Sequence, residues 1–548
     1  MKTKRFAVLL LTLILALSFS GCRKMPENIS STSQKTEEIK PTKSFITLLY
    51  SAADSFNPYS AETKINRQLC KLIYEPLVKL NNEFEPIYSM AKEISLSGKE
   101  CKVTIKSLKF SDGSAVTADD VVYSCNLALK SNGIYATKLY LVDSVKAVDS
   151  KTVVFNLKKE DPYFVNLLDF PILKSGSEKI TDSDSVLQPP VGCGRYKVAY
   201  DRQSLTVNEM FEGKKGSITD VKLINAPDNE SVIHYVEIGA SDLFFNDISD
   251  GEIIRMGGKK LDINLNNLIY IGVNQNYGAL GYELMRQAIS SGIDRTKICK
   301  NTLYNNALPA TGFFNPVWED VKAVQNIQIE AKSQITVENL KEIGYNSLDG
   351  KGIRTNSSGN TLQFTLLVNS ENRLKVAAAQ MIASQLFEYG IKITVIEKSY
   401  EKYIQSLKNN DFQLFLGEIK LTDNMDFSCL VEEGGTAAFG LKKEKEKEEK
   451  SKEESDSSEE TVSSETENET DEEVTEQNKS SSVSDVVKGF YEGKNSITDV
   501  ATVLQTEMPF IPICYRTGVL FYNDNIENVK NSSESDIYFS IESYIYNN

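Results

Sequence analysis

The stretch DFQLFLGEIKLTDNMDFSCL, Asp411 to Leu430, carries Glu418, Asp423 and Asp426 within nine residues, just after an alternating apolar run. Clustered carboxylates serve as a general acid/base pair, as hard ligands for a metal ion, or as the counter-charge for a cationic ligand. Residue types elsewhere narrow the choice. His234 is the only histidine in the chain, so a Ser-His or Cys-His system has one possible base and an HExxH zinc motif cannot be written. It lies in the helix-like run NESVIHYVEIGASD, where a structural role is expected. No GxSxG elbow occurs. The nearest approach to a phosphate loop, GYNSLDGKG at Gly344, has five residues between its glycines and Gly352 where Ser or Thr is needed. Hydrolysis by two carboxylates needs only acids at the right separation and survives this filter. No catalytic residue, metal site or cofactor is assigned.

The chain has 548 residues and a net charge of −15, enough length for two or three domains. Much of the negative excess is local: residues 442–484 hold sixteen acids against seven lysines and almost no apolar side chain. Such a stretch is expected to stay solvated and disordered, because nothing in it offsets the entropy of ordering. The remainder is only mildly acidic, which gives no support to a nucleic-acid partner.

The N-terminus reads Lys2, Lys4 and Arg5, then FAVLLLTLILAL, then SFSGC ending at Cys22. A basic segment, a short apolar core and small residues make an export signal. Ser20 and Gly21 before Cys22 resemble a bacterial lipobox, with Phe19 where leucine is usual. Residues 1–22 are thus expected to be a lipoprotein signal, with Cys22 lipidated and the mature protein held outside the cytoplasm on the cell membrane. Residues 23–44 are polar and aperiodic and read as a tether. The other seven cysteines, Cys70, Cys101, Cys125, Cys193, Cys299, Cys429 and Cys514, have no CxxC spacing and read mainly as buried free thiols.

The elements around the opening stretch follow from periodicity. SFITLLYSA has strand character, and TKINRQLCKLIYEPLVKL places Ile65, Leu69, Leu72 and Ile73 at helical spacing. In SDGSAVTADDVVYSCNLALK, Thr117 is an N-cap, and Asp119 and Asp120 read as first-turn acids rather than catalysts. From Leu268 onward strands alternate with helices (LIYIGVN, TLQFTLLVNS, RLKVAAAQMIASQLFEYG, IKITVIEK, YEKYIQSLKN, DFQLFLGE), which argues for α/β architecture with parallel pairs. In open α/β sheets ligands meet loops just past strand ends, where the three carboxylates lie.

Five segments in one order, LIYEPLVKLNNEFEPIYSMAKE, LKFSDGSAVTADDVVYS, VGCGRYKV, LMRQAISSGIDRTKI and EMPFIPICY, resemble the extracytoplasmic solute-binding proteins of the peptide/nickel ABC transporter family. The resemblance implies a two-lobed, type II-like periplasmic-binding-protein fold with a hinge. The first lobe would take about residues 45–267 and 508–548, with an inserted subdomain near 80–190, and the second about 268–507, interrupted by the acidic stretch 442–484. It implies a monomer that captures peptides between its lobes and hands them to membrane permease subunits, without enzymatic activity. A binder of oligosaccharide or metal chelate, a surface sensor of the same fold and a carboxylate-only hydrolase are the alternatives; a single His234 fits nickel chelates poorly. In the family an aspartate in a W..DY..P loop holds the ligand ammonium. Here Glu418 is read at the tryptophan position, leaving Asp426 first, Asp423 second and Glu418 third as the anchor. Asp423 and Asn424 are also ordinary turn formers. Asn57 and Tyr59 in FNPYS, and Trp318 after PATGFFNP, are further cleft candidates. On this reading Asp426→Ala should weaken peptide binding by roughly tenfold or more without lowering thermal stability much.

Overall fold

The computed structural model describes residues 43–131, 133–179, 189–254, 256–324, 326–442 and 482–547. Cys22 with its signal, the tether to residue 42, and residues 443–481 of the acidic stretch lie outside the described residues. The end of that stretch is ordered: Ser482 caps the helix Val483–Tyr491, its side chain accepting from the Asp485 N–H.

Three sheets organise the chain. The first has the strand order Phe45–Tyr50, Asp220–Asn225, Ser204–Val207, Tyr196–Val198, and its first pair is parallel. Against it packs the helix Lys64–Ile73, burying Leu69, Leu72 and Ile73 in one core and leaving Lys64, Arg67, Gln68 and Lys71 on its other face. The chain of VGCGRYKV passes tight against the end of this helix, and the Gly194 N–H donates to the Ile73 carbonyl at 2.8 Å. A Cβ on Gly192 would sit 2.1 Å from that carbonyl oxygen, and one on Gly194 2.5 Å from the carbonyl carbon, so this close approach requires glycine.

The second sheet is antiparallel, in the order Ala91–Ser97, Glu100–Ile105, Thr152–Leu157, Val142–Ala147. With the helix Ala118–Lys130 it encloses a core of its own, which includes Val103, Val121, Cys125 and Phe155. Thr117 and Asp120 form a capping box at the helix start, so Asp120 does the capping expected of a first-turn acid. These elements fall in the span 80–190 where an inserted subdomain is expected from the sequence, and that name is used for them below.

The third sheet has seven strands. Gln363–Asn369 pairs in parallel with both Lys392–Lys398 and Leu414–Lys420, the connections being the helices Arg373–Phe387 and Tyr400–Lys408. Two long strands, Lys259–Val273 and Phe510–Tyr522, run antiparallel through this sheet and out of it. Leu265 packs in the first lobe's core and Leu268 in the second's; on the partner strand Tyr515 belongs to the second core and Leu520 to the first. The hinge is therefore a pair of continuous strands. Residues 510–515 pack with the second lobe, inside the 508–548 return that the sequence assigns to the first. A register shift between Asn264 and Leu268 marks the crossing. Asn315 secures it, its Nδ2 donating to the Leu265 carbonyl at 3.1 Å.

The six buried cysteines and the half-buried Cys429 are unpaired.

Candidate functional site

A cavity of about 790 Å³ opens where the first lobe, the inserted subdomain and the start of the 421–428 loop meet. Its size falls within the range of small-ligand pockets, roughly 300–1,000 Å³. One wall is the polar face of the helix Lys64–Ile73, contributing Lys64, Arg67, Gln68 and Lys71. A second comes from the subdomain, through Ile134, Tyr135, Lys138 and Asp169. Lys420 to Asp423 close the second-lobe side, and Glu534 to Tyr538 the floor.

Of the six side chains proposed from the sequence for ligand contact, Asp423 lines the cavity and the other five do not. Asp423 is 6 % exposed and takes an ion pair from Lys138 at 2.7 Å. The same ammonium contacts Asp169. Burial works against the Lys138 charge, but the two carboxylates outweigh it and hold its pKa above the usual lysine range.

Asp426 turns away from the cavity. Its carboxylate accepts from the Tyr140 hydroxyl and, at 2.8 Å, from the Ser428 N–H, and Lys159 lies 3.4 Å away. Tyr140 and Lys159 belong to the subdomain, so Asp426 fastens the loop to it. The neighbouring Asn424 Nδ2 donates to Asp161 at 2.6 Å, and Asn166 Nδ2 donates to the Asp423 carbonyl at 3.1 Å. Burial pushes the Asp161 carboxyl up to about 6, against the hydrogen bonds from Asn424 and the Tyr163 N–H.

Glu418 is still within its strand, facing Ile269, where it meets Lys375 at 2.8 Å and the buried Arg516 at 3.6 Å. Burial disfavours its charge, yet Arg516 and Lys375 together hold its pKa below the ordinary glutamate value. It is a hinge residue. Asn57 closes its own turn, Oδ1 accepting from the Tyr59 N–H at 3.0 Å. Tyr59 donates to the Pro171 carbonyl and sets its ring edge-on to Tyr135, 5.5 Å between centroids, which places it behind the cavity wall. Trp318 is buried in the second lobe, edge-on to Tyr163 of the subdomain at 5.0 Å. His234 is exposed on its helix beside Tyr235.

The rest of the cavity is a set of ion pairs. Lys64 holds Asp247 at 2.9 Å and Asp250 at 3.0 Å, Lys420 pairs with Glu534, and Asp536 lies between Lys79 at 3.0 Å and Arg195 at 2.9 Å. Burial would raise the Asp536 pKa, but Arg195 and Lys79 hold it well below the carboxylate range. Sequence reasoning missed Arg67, Lys71, Lys138, Asp169 and Lys420. The signal for the first two was present: in TKINRQLCKLI the basic residues recur three and four apart, opposite the buried leucines. For the others no local signal exists, because each is defined by a partner far away in the chain.

Residues 84–428 match the family described as bacterial extracellular solute-binding proteins, family 5 Middle. The chain belongs to that family. As a family 5 solute-binding protein it has relatives across its length. Over 418 residues it is 24 % identical to the oligopeptide-binding protein AppA of Bacillus subtilis, covering 72 % of this chain and 76 % of that one. The structure of that AppA in complex with a nonapeptide superposes with a TM-score of 0.57 at 19 % identity, covering 93 % of this chain and 100 % of the other. NikZ from Campylobacter jejuni in complex with Ni(L-His) superposes with a TM-score of 0.58, also at 19 % identity, over 91 % of this chain and 99 % of the other. The fold is thus the two-lobed type II periplasmic-binding-protein architecture expected from the sequence, and family 5 members work outside the cytoplasm with ABC importers. The same fold accompanies a peptide in one neighbour and a metal chelate in the other, so the cargo has to be argued from the cavity.

Proposed function

We propose that this family 5 protein captures short peptides in the cavity between subdomain, first lobe and hinge, and presents them to the permease of an ABC importer. The observation that supports this most is the cavity itself: closed on several sides by separate parts of the chain, and lined by charged and amide side chains with apolar Leu48, Leu49, Ile134 and Phe244 among them. A peptide offers matching amide, apolar and terminal charged groups. The match to an oligopeptide-binding relative along most of the chain points the same way. Closure of two lobes about a pair of continuous hinge strands supplies the difference between loaded and empty forms that a permease can read.

The site reads as binding rather than catalytic. Every cavity carboxylate except Asp228, which caps a helix through the Ser231 N–H, has a lysine or arginine within 4.0 Å, so none is left as an unengaged acid or base. Among the described residues no group of three His, Cys, Asp or Glu side chains could hold a metal ion. Of the three loop carboxylates Asp423 alone lines the cavity, which supports reading it as the ammonium site, and a ligand ammonium reaches it only by replacing Lys138. Attachment through lipidated Cys22 remains part of this proposal, as does a monomeric state.

Mass spectrometry of small molecules released on denaturing protein purified without its first 22 residues tests the cargo. Peptides of a few residues are expected. Recovery of sugars or a nickel chelate with no peptide would overturn the reading, and a new product on incubation with peptides would overturn the assignment as a binder.

A further inference from the structure

Seven carboxylates and six cations line the cavity, but they are unevenly paired, and two of the cations stand apart from every carboxylate. Six cations face it: Lys64, Arg67, Lys71, Lys79, Lys138 and Lys420. Four of them are consumed by carboxylates in the pairs described above. Arg67 and Lys71 have no carboxylate within 4.0 Å among the described residues. Arg67 donates one bond, at 2.8 Å, to the Glu62 carbonyl, and Lys71 donates to the Glu534 carbonyl. Both acceptors are neutral carbonyls, so neither cation has a direct ion-pair partner.

The two side chains stand four residues apart on one helix face, with Lys64 on the same face, a spacing at which like charges repel. Position along the helix explains only part of this. Lys71 is in the last turn, where a cation complements the helix dipole, whereas Arg67 is in the middle, where it does not. Burial pulls the Lys71 pKa below the usual lysine value in spite of Glu534, Asp169 and Asp536 nearby, so the surrounding acids do not make up for its lost hydration. Across the cavity Asp423, the carboxylate best placed to receive a ligand cation, is already paired with Lys138.

Resting on the peptide reading above, we propose that the Arg67 and Lys71 edge of the cavity receives a carboxylate of the ligand, so that this protein selects peptides by an anionic group. Arg67 offers the planar fork that matches a carboxylate, and Lys71 adds a point charge beside it. The carboxylate has two possible sources, the peptide's C-terminus or an acidic side chain.

Calorimetric titration with three synthetic pentapeptides tests this: alanine peptides carrying one tyrosine, as the free acid, as the C-terminal amide, and as the amide with one internal glutamate. The free acid is expected to bind at least tenfold more tightly than the plain amide. If the glutamate restores affinity, the side chain serves as the source; if it does not, the C-terminus does. In Arg67→Gln/Lys71→Gln the advantage of the acid should vanish, and in Arg67→Lys it should largely return. Equal affinity of acid and plain amide for the native protein overturns the inference and leaves the peptide reading intact. That comparison needs no variant to fold. Binding of none of the three, with no peptide released on denaturation, overturns both.

Discussion

The Lys138 ammonium lies 2.7 Å from the Asp423 carboxylate and also contacts Asp169, tying the inserted subdomain to the loop of the second lobe at the cavity wall. All three side chains are largely shielded from water. A buried ion pair whose desolvation is matched by partners is costly to break by removing one member, because the other charge is stranded.

Lys138→Met should therefore destabilise the protein by about 3 kcal/mol, since it strands two carboxylates. Asp423→Asn should cost less, because Lys138 keeps Asp169. Denaturant unfolding of the two variants checks the order. Freeing Asp423 should also make the Lys138→Met protein discriminate by at least about tenfold against an N-acetylated pentapeptide, the loss of a charge-assisted bond. Indifference to acetylation would remove Asp423 as an ammonium site.

Asp426→Ala is expected to act on stability rather than on the ligand. The variant loses the acceptor for Tyr140 and for the Ser428 N–H, and leaves Lys159 without its carboxylate, at a cost of about 2 kcal/mol. Affinity for the pentapeptide acid should stay within about threefold, less than one strong hydrogen bond. A tenfold loss of affinity with an unchanged unfolding midpoint would restore Asp426 as the ligand anchor, as its sequence position suggests.

Asp161 carries a pH dependence of known sign. Its folded pKa of about 6 lies above the ordinary aspartate value, so the folded state holds the proton more tightly than the unfolded chain. Its contribution to stability is complete below about pH 4 and is lost as pH rises through about 6. Asn424 and the Tyr163 N–H donate to it, Tyr140 lies nearby, Asp426 pushes the pKa up and Lys159 opposes. Relative to Asp161→Asn, wild type should gain about 2 kcal/mol between pH 7.5 and 4.5, because each tenfold difference in proton affinity between folded and unfolded chain is worth about 1.4 kcal/mol. A constant difference between the two proteins over that range would refute the assignment.

Glu418→Gln should weaken the hinge with the opposite pH sign. Glu418 is the carboxylate shared by Lys375 and the 1 % exposed Arg516, and removing its charge at pH 7 should cost about 3 kcal/mol. Its folded pKa is depressed, so this stabilisation is present above the unfolded value and is lost as pH falls through the folded one. The unfolding midpoints of variant and wild type should converge in acid, and scanning calorimetry from pH 7 to pH 3 would show whether they do.

Much of the framework was legible because it depends on neighbours in the chain. The cap at Thr117, the apolar run of DFQLFLGE, the helix RLKVAAAQMIASQLFEYG and the glycines of VGCGRYKV each express a local rule, and the ordered motifs joined them into a two-lobed fold. The crossing between cores was not legible in the same way: it falls between Leu265 and Leu268 on Lys259–Val273 and between Tyr515 and Leu520 on Phe510–Tyr522, and a continuous apolar strand carries no mark of which core it enters.

By itself, then, the sequence determined the family, the architecture and a short loop holding three candidate acids. Tertiary structure decided what each acid does. Glu418, Asp423 and Asp426 are near one another in the chain and alike in type, yet one braces the hinge, one lines the cavity and one fastens the subdomain. Their cationic partners, Arg516, Lys138 and Lys159, lie roughly 100 to 290 residues away. Charge pairing acts through space over a few ångströms, so the role of a carboxylate is set by whichever cation the fold brings to it.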